Sequence, residues 1–321
     1  MQYMKKYVQE ATDENIWTSI KNNTFGRNKD IKDFIDGLEL IDESACISLD
    51  AKWGDGKTFF VRQIEEVLKY VLANQRADEE NPIEKLPSYE YLKDNEMMAK
   101  IDLKHSYLPI YYNAWMYDNH SDPLMSLLLV MTKTCRGVYD TKIDSEKISK
   151  KLVEALATLP ISLGEFKANP FTAIEKLQGK SMDILSLVQT EEEIRERVKG
   201  IFNDIIVERA QKLVIFIDEL DRCRPSFAIE MLERIKHYFD DERVIFVVSL
   251  NKEQLIHTIT NYYGSGFDAT RYLNKFFDVN INLPAMDKYQ KQTLEFSEQQ
   301  TEGKFWLYKF CLLYTSPSPR D

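Results

Sequence analysis

Ala51-Lys-Trp-Gly-Asp-Gly-Lys-Thr58 is the stretch that decides the fold of this chain. An apolar run at residues 45–49 precedes it, and a helical pattern at residues 59–72 follows it. Between a strand and a helix, a glycine-rich loop forms a cradle of main-chain N–H groups for phosphate oxygens, and the positive end of the helix dipole points at the same anion. The stretch therefore predicts a phosphate-binding loop of the Walker A type.

The residues of this loop are the predicted nucleotide contacts. We expect Lys57 to reach the β- and γ-phosphates and the Thr58 hydroxyl to ligate Mg²⁺. Ala51 stands where the pattern has its first glycine, and the loop can still form if Ala51 keeps a negative φ. A glycine turn with a solvated lysine is the alternative interpretation. The predicted nucleotide-binding residues are Trp53, Gly54, Asp55, Gly56, Lys57, Thr58 and Phe59.

A second motif is the stretch Lys212-Leu-Val-Ile-Phe-Ile-Asp-Glu-Leu-Asp221. Its apolar run is typical of a strand that is buried on both faces of a parallel sheet. Acids at the carboxyl end of such a strand lie where ligands bind in open α/β sheets. We expect Asp218 to hold Mg²⁺ and Glu219 to orient or deprotonate the attacking water, with Glu219 and Lys57 as candidate catalytic residues. The alternative is that these acids cap a helix.

The composition excludes several other classes of protein. The chain has 321 residues, 44% hydrophobic and 12% aromatic, which is too apolar for a disordered protein. Its net charge of −10 argues against general nucleic-acid binding. Its four cysteines form no C-x-x-C pair, and no apolar run reaches the length of a membrane span. We expect a cytoplasmic protein, with a peripheral membrane association as the alternative.

Strands alternate with helices along the chain, which predicts an α/β fold with a three-layer α/β/α arrangement and a parallel sheet. Glu219 is consistent with the ASCE type of P-loop ATPase, the branch that uses a catalytic glutamate. In that branch an extra strand separates the two motif strands in the sheet, and we expect this type here. We expect an N-terminal helical lead-in at 1–40, a P-loop NTPase core at 41–136 and 201–285, a helical insertion between the two motifs at 137–200, the start of a C-terminal region at 286–310, and a non-native tail at 311–321.

The tail, Cys311-Leu-Leu-Tyr-Thr-Ser-Pro-Ser-Pro-Arg-Asp321, differs in character from the rest of the chain. It resembles the translation of a common transposon-based sequencing adapter. We expect the natural chain to continue after about residues 307–310, with a C-terminal domain that is missing here.

Several segments together resemble the KAP family of P-loop NTPases. Trp53 precedes Gly54-Asp-Gly-Lys-Thr58 as in the family's loop, and Tyr112-Asn-Ala-Trp-Met-Tyr117 is similar to its aromatic-Asn-Ala-Trp segment. Ile217-Asp-Glu-Leu-Asp-Arg-Cys223 and Tyr272-Leu-Asn-Lys-Phe-Phe-Asp278 resemble two further family segments, so that the likeness spans residues 40–285. Many family members carry membrane helices between the two nucleotide motifs, whereas this chain has a polar helical pattern there.

This resemblance implies ATP binding and hydrolysis with Mg²⁺, coupled to a conformational or assembly change. The partner is an unknown protein or a second copy of the chain. Family members are often bacterial and are linked with membrane-associated complexes or with defence against phage. Two alternatives stay open: a nucleotide-dependent interaction switch with negligible hydrolysis, and a scaffold that uses the fold only.

Other candidate residues have competing interpretations. Asn251-Lys-Glu-Gln254 is similar to a guanine-reading motif, but Gln254 lacks the required charge, so a helix start and ATP are favoured. Ser249 and Asn251 are γ-phosphate sensors or helix-capping residues. Three arginines are candidates for an arginine finger, which stabilises charge on the transferred phosphoryl group: Arg271, the preferred one, Arg222 and Arg224. We expect Asp221 and Arg222 to pair with each other. Packing is favoured over adenine stacking for Trp53 and Trp115.

Overall fold

A computed structural model describes residues 11–78, 82–120, 122–137, 199–200, 210–238 and 241–283 of the chain. The predicted insertion at 137–200 lies outside the described residues except for 137, 199 and 200. The predicted C-terminal region at 286–310 and the tail at 311–321 lie wholly outside them.

The helices and strands alternate along the chain much as the sequence pattern predicts. The described strands are β1 (Ala45–Asp50), β2 (Tyr107–Asn113), β3 (Lys212–Asp218), β4 (Val244–Leu250) and β5 (Val279–Asn282). The described helices are α1 (Asp13–Lys21), α2 (Asn28–Leu38), α3 (Lys57–Gln75), α4 (Tyr89–Leu92), α5 (Pro123–Gly137), α6 (Pro225–Tyr238), α7 (Lys252–Tyr263) and α8 (Ala269–Leu273).

The strands form one sheet in the order β2-β3-β4-β1-β5, and every neighbouring pair is parallel. β4 lies between β1, which leads into the glycine-rich loop, and β3, which ends in the acids. This order confirms the predicted ASCE type. In parallel strands the carboxyl ends share one edge of the sheet, so the loop, Asp218 and Asn113 meet at that edge, where Asn113 is the register partner of Asp218.

Helices cover both faces of the sheet, which confirms the predicted three layers. Along β3, Leu213, Ile215 and Ile217 face one core, and Val214 and Phe216 face the other. The first core contains side chains of α5 to α8, and the second contains those of α1 to α4. Because both faces are buried, β3 and β4 are continuous apolar runs without polar alternation.

The N-terminal helices pack on the same face as α3. Thr12 caps α1 by accepting a hydrogen bond from the main-chain N–H of Asn15 at 3.4 Å. Further along α1, the Trp17 indole N–H donates to Glu66 of α3 at 2.6 Å. The Arg62 guanidinium pairs with Asp13 of α1 at 2.7 Å and also lies over the ring of Tyr111, 4.8 Å from its centroid. Charged groups thus join α1 to α3 and β2.

Residues 76–100 are polar and charged and contain Pro82 and Pro87, a composition that predicts a surface excursion, and this prediction is wrong for the second half of the segment. Leu92, Met97 and Met98 are buried in the second core. Their spacing fits neither a helical nor a strand period, because a short helix and 3-10 turns place them.

Candidate nucleotide site

Two glycines give the loop between β1 and α3 its shape. Gly54 and Gly56 have φ values of 91° and 77°, a left-handed region that residues with a Cβ rarely adopt. Ala51 is not among the described residues with positive φ, so its backbone is compatible with a loop that has alanine in place of the first glycine. Within the described residues, the main-chain N–H groups of Gly54, Gly56 and Lys57 donate to no protein acceptor. The loop therefore offers unsatisfied donors, which fit an anion such as a phosphate.

Lys57, the first residue of α3, lies folded into the loop. Its Nζ donates to the main-chain carbonyls of Ala51 at 2.7 Å and Lys52 at 3.1 Å. Burial lowers the pKa of Lys57, and the carboxylates of Asp221, Asp218 and Asp55 act in the opposite direction. The acids after β3 are thus within electrostatic reach of the loop lysine.

Asp55 and Arg27 hold the loop from outside its glycines. The Asp55 carboxylate accepts a hydrogen bond from the main-chain N–H of Lys52 at 3.0 Å. The Arg27 guanidinium donates to the carbonyls of Asp55 at 2.7 Å and Gly56 at 3.3 Å. Arg27 precedes α2 and belongs to no motif, so no sequence pattern predicts its place in the site.

Asp218 lies at the end of β3 and is buried. Its Oδ1 accepts from the main-chain N–H of Glu219 and its Oδ2 from the hydroxyl of Tyr111, both at 3.0 Å. Burial and the nearby Asp218 carboxylate raise the pKa of Tyr111, so that the hydroxyl stays protonated and donates. Carboxylate and hydroxyl oxygens suit Mg²⁺, and the half-buried Thr58 at the start of α3 adds a second such oxygen.

Glu219 has a left-handed backbone, with φ 62°, and both of its carboxylate oxygens have protein partners. Oε2 accepts from the Asn113 amide at 3.1 Å, and Oε1 pairs with Arg222 Nη1 at 3.0 Å. Burial raises the pKa of Glu219, Arg222 lowers it, and Asp218 raises it. Glu219 does not cap the 3-10 turn Leu220–Arg222 that follows it, so the capping alternative fails for this acid.

Asp221 joins the loop to the residues after β3, a role that sequence reasoning missed. The Trp53 indole N–H donates to Asp221 Oδ2, although the Trp53 side chain is half-exposed. Burial raises the pKa of Asp221, while Trp53, Lys57 and the main-chain N–H of Asn251 lower it. The predicted pair of Asp221 with Arg222 is wrong, because Arg222 pairs with Glu219 across a single turn.

The other candidates lie apart from these contacts. Phe59 packs against the second core, and Trp115 is exposed beside the Arg222 guanidinium, which lies 5.7 Å from its ring centroid. Trp53 and Trp115 are both partly exposed, and the choice between packing and adenine stacking stays a prediction for these two rings. Arg271 is exposed on α8, and none of its described contacts involves the residues of the loop.

Asn251 caps α7 by accepting from the main-chain N–H of Gln254 at 3.2 Å, which confirms the helix-start interpretation of residues 251–254. The Ser249 hydroxyl is buried at the end of β4 and has no hydrogen-bond partner among the described residues. Among the described helices, none combines the length and apolar character needed to cross a membrane.

Comparisons with known proteins give one family match and one distant structural likeness. The sequence profile of the KAP family P-loop domain matches residues 27–305. Among solved structures, the chain is similar to a Walker-type ATPase of Pyrococcus abyssi, with 10% identity and a TM-score of 0.36. The alignment covers 90% of this chain and 63% of that one, so the chain spans less than two thirds of that ATPase. No curated protein gives a significant match.

Proposed function

This chain belongs to the KAP family of P-loop NTPases, and on that premise we propose that it binds ATP with Mg²⁺ and hydrolyses it to ADP and phosphate. The observation that carries the proposal is that the loop after β1 and the acids at the end of β3 meet at one edge of the sheet, where the indole N–H of Trp53 donates to Asp221. The carboxylates of Asp221 and Asp218 also oppose the effect of burial on the pKa of Lys57. A cationic amine, unsatisfied main-chain donors and buried acids at one sheet edge are the parts that phosphoryl transfer requires.

In the proposed ground state, main-chain N–H groups of residues 53–59 surround the phosphates. Lys57 exchanges its present partners, the carbonyls of Ala51 and Lys52, for β- and γ-phosphate oxygens. Thr58 and Asp218 would hold Mg²⁺, which when bound neutralises charge on the phosphate oxygens.

In the proposed hydrolysis, a water oxygen forms a bond to the γ-phosphorus while the bond from that phosphorus to the β,γ-bridging oxygen breaks. Glu219 takes the proton of the attacking water, and the raised pKa of its carboxyl favours that transfer. We propose Arg271 as the arginine that stabilises the developing charge. It is exposed and its guanidinium has no described partner, whereas Arg222 and Arg224 pair with Glu219 and Asp118.

The family membership also leads us to propose that nucleotide state governs contacts with a protein partner or a second copy. Residues 138–211 connect the end of α5 to the start of β3, and β3 ends at Asp218, so we propose this segment as the one that responds to nucleotide state. Defence against phage is one process to test, by plaque counts on cells that carry wild type or Glu219→Gln.

A nucleotide switch with negligible hydrolysis is the second candidate function. The engagement of both Glu219 oxygens by Asn113 and Arg222 favours it, because these two contacts compete with an attacking water for the carboxylate. Phosphate release separates the two functions: a wild-type rate equal to that of Glu219→Gln, with ATP bound by both, supports the switch.

The proposal is tested by calorimetric titration of the purified chain with ATP, ADP and GTP in the presence of Mg²⁺. We expect ATP to bind in preference to GTP and Lys57→Ala to lose the binding. Lys52→Ala, which changes an exposed lysine of the same loop, is the matched control and should bind as wild type does. A folded wild-type protein that takes up no ATP would refute the proposal.

A further inference from the structure

Arg27 is a buried arginine that no nucleotide-binding motif includes. Its side chain lies against the loop, and only 3% of the residue is exposed. Its two terminal nitrogens donate to consecutive carbonyls, those of Asp55 and Gly56, at 2.7 and 3.3 Å. A buried guanidinium is costly unless it is well hydrogen-bonded, so its position behind these two peptide groups requires an explanation.

The geometry of the peptide bond shows which donors these contacts affect. The Asp55 carbonyl belongs to the same peptide group as the Gly56 N–H, and the Gly56 carbonyl to the same group as the Lys57 N–H. Since the described peptide bonds are all trans and planar, each N–H points opposite to its carbonyl. The N–H groups of Gly56 and Lys57 therefore point away from Arg27, and they are among the loop donors without a protein acceptor.

A cation bound to a carbonyl polarises the whole peptide group and makes its N–H a stronger donor, as in chains of hydrogen bonds. Arg27 also orients both groups, because a guanidinium offers its donors in a fixed planar fork. In addition, its positive charge adds to that of the α3 N-terminus, which already favours an anion. Orientation, polarisation and charge thus act on the same two donors.

Resting on the proposed function, we propose that Arg27 is a positioning residue for the nucleotide phosphates, acting through the peptide groups 55–56 and 56–57 and not by direct contact. The N-terminal segment is then part of the nucleotide site. Arg27 contributes to phosphate binding and makes no contribution to the chemical step, because it touches neither Glu219 nor Asp218 through any described contact.

The test compares Arg27→Gln and Arg27→Lys with Lys29→Gln, which removes the charge of an exposed lysine two positions away on α2. Affinities for ATP, ADP and inorganic tripolyphosphate are measured by calorimetry, phosphate release gives kcat and KM, and the melting temperature without ligand reports the fold. We expect Arg27→Gln to weaken all three ligands by about tenfold or more and to raise KM, with kcat changed by less than about twofold.

Arg27→Lys, which keeps the charge but not the fork, should recover part of the affinity, and Lys29→Gln should match wild type. If Arg27→Gln does not fold, the test rests on Arg27→Lys. An ATP affinity of Arg27→Lys equal to that of wild type would then overturn the inference. ATP binding by wild type that Arg27→Gln leaves unchanged also overturns it, while the proposed function stands. Wild-type protein without ATP binding overturns both.

Discussion

The loop after β1 and the acids after β3 meet at one edge of the sheet, yet they differ in how their polar groups are satisfied. Within the part of the chain that the structure describes, the loop has N–H donors without protein acceptors, and the hydrogen bonds of Lys57 Nζ go to carbonyls of that loop. The acids have protein donors: Tyr111 binds Asp218, and Asn113 and Arg222 bind Glu219. The N–H groups of the loop, here the donor side, can therefore bind an anion without losing a protein contact. The carboxylates of Asp218 and Glu219, the acceptor side, already accept hydrogen bonds from protein groups.

This difference teaches that binding and turnover have separate structural requirements. Phosphate can enter a loop whose shape is already set by Gly54, Gly56 and Arg27. The proposed turnover also requires that water reach a carboxylate whose two oxygens already contact Asn113 and Arg222. Variants on the two sides should therefore affect different measured quantities, and the predictions below begin with the largest effect.

Replacing the loop cation tests the donor side. We expect Lys57→Ala to weaken ATP binding by at least about 100-fold, because hydrogen bonds to charged groups contribute about 1.5–3 kcal/mol each and about 1.4 kcal/mol is a factor of ten. Titration calorimetry measures the affinity, with Lys52→Ala as the control. If Lys57→Ala kept wild-type affinity, the loop would not be the phosphate site.

Replacing the proposed base tests the acceptor side. Glu219→Gln should lower the rate of phosphate release by about 100-fold or more while ATP affinity changes little, since a positioned general base contributes about 10²–10⁴-fold. A coupled phosphate assay at saturating ATP gives the rate. Glu253→Gln, on the exposed side of α7, is the matched control and should retain full activity. Equal losses of affinity and rate in Glu219→Gln would contradict the separation of the two sides.

The contact between the two sides is Asp221. Asp221→Asn should lower the free energy of unfolding by about 1–3 kcal/mol, because it disturbs a buried group bonded to Trp53. The variant also removes the carboxylate that most raises the pKa of Lys57, so the pKa of Lys57 falls further. ATP binding should then weaken at lower pH than in wild type as the lysine loses its proton.

Urea unfolding and ATP titrations across a pH series measure these two effects of Asp221→Asn. Glu43→Gln, an exposed acid before β1, serves as the control for loss of one negative charge. If ATP affinity falls at the same alkaline pH in Asp221→Asn as in wild type, Asp221 does not act on the pKa of Lys57.

The smallest effect is expected from loosening the contacts of Glu219. Hydrolysis requires the unprotonated carboxylate, so its rate should rise with pH through the raised pKa of Glu219. Arg222→Gln removes the cation that lowers this pKa, and the midpoint of the pH–rate profile should move to higher pH. Phosphate release at saturating ATP measures the profile. A shift to lower pH would mean that another group controls the rate.

The parts of the fold that the sequence predicts are those that local patterns encode. The apolar runs that became β1, β3 and β4 and the glycine spacing of the loop needed no long-range information. Trp53 and Asp221 are 168 positions apart, Tyr111 and Asp218 are 107 apart, and Asn113 and Glu219 are 106 apart.

Those three contacts depend on the order of strands in the sheet, which no pattern in one chain reveals. Arg27 is only 28 positions from Asp55, but its contacts are with main-chain carbonyls, and a carbonyl leaves no residue preference for a pattern to detect. The sequence therefore predicts the candidate residues of the site and misses the residues that position them.

The path from α1 through Arg62 to Tyr111, together with Arg27 before α2, has a practical consequence for recombinant work on this protein. A clone trimmed to begin at β1 would keep both nucleotide-binding motifs but would lack Arg27, whose guanidinium binds the loop carbonyls of Asp55 and Gly56. Weak ATP binding by such a shortened product would reflect the loss of Arg27 and α1 and not the affinity of the full chain.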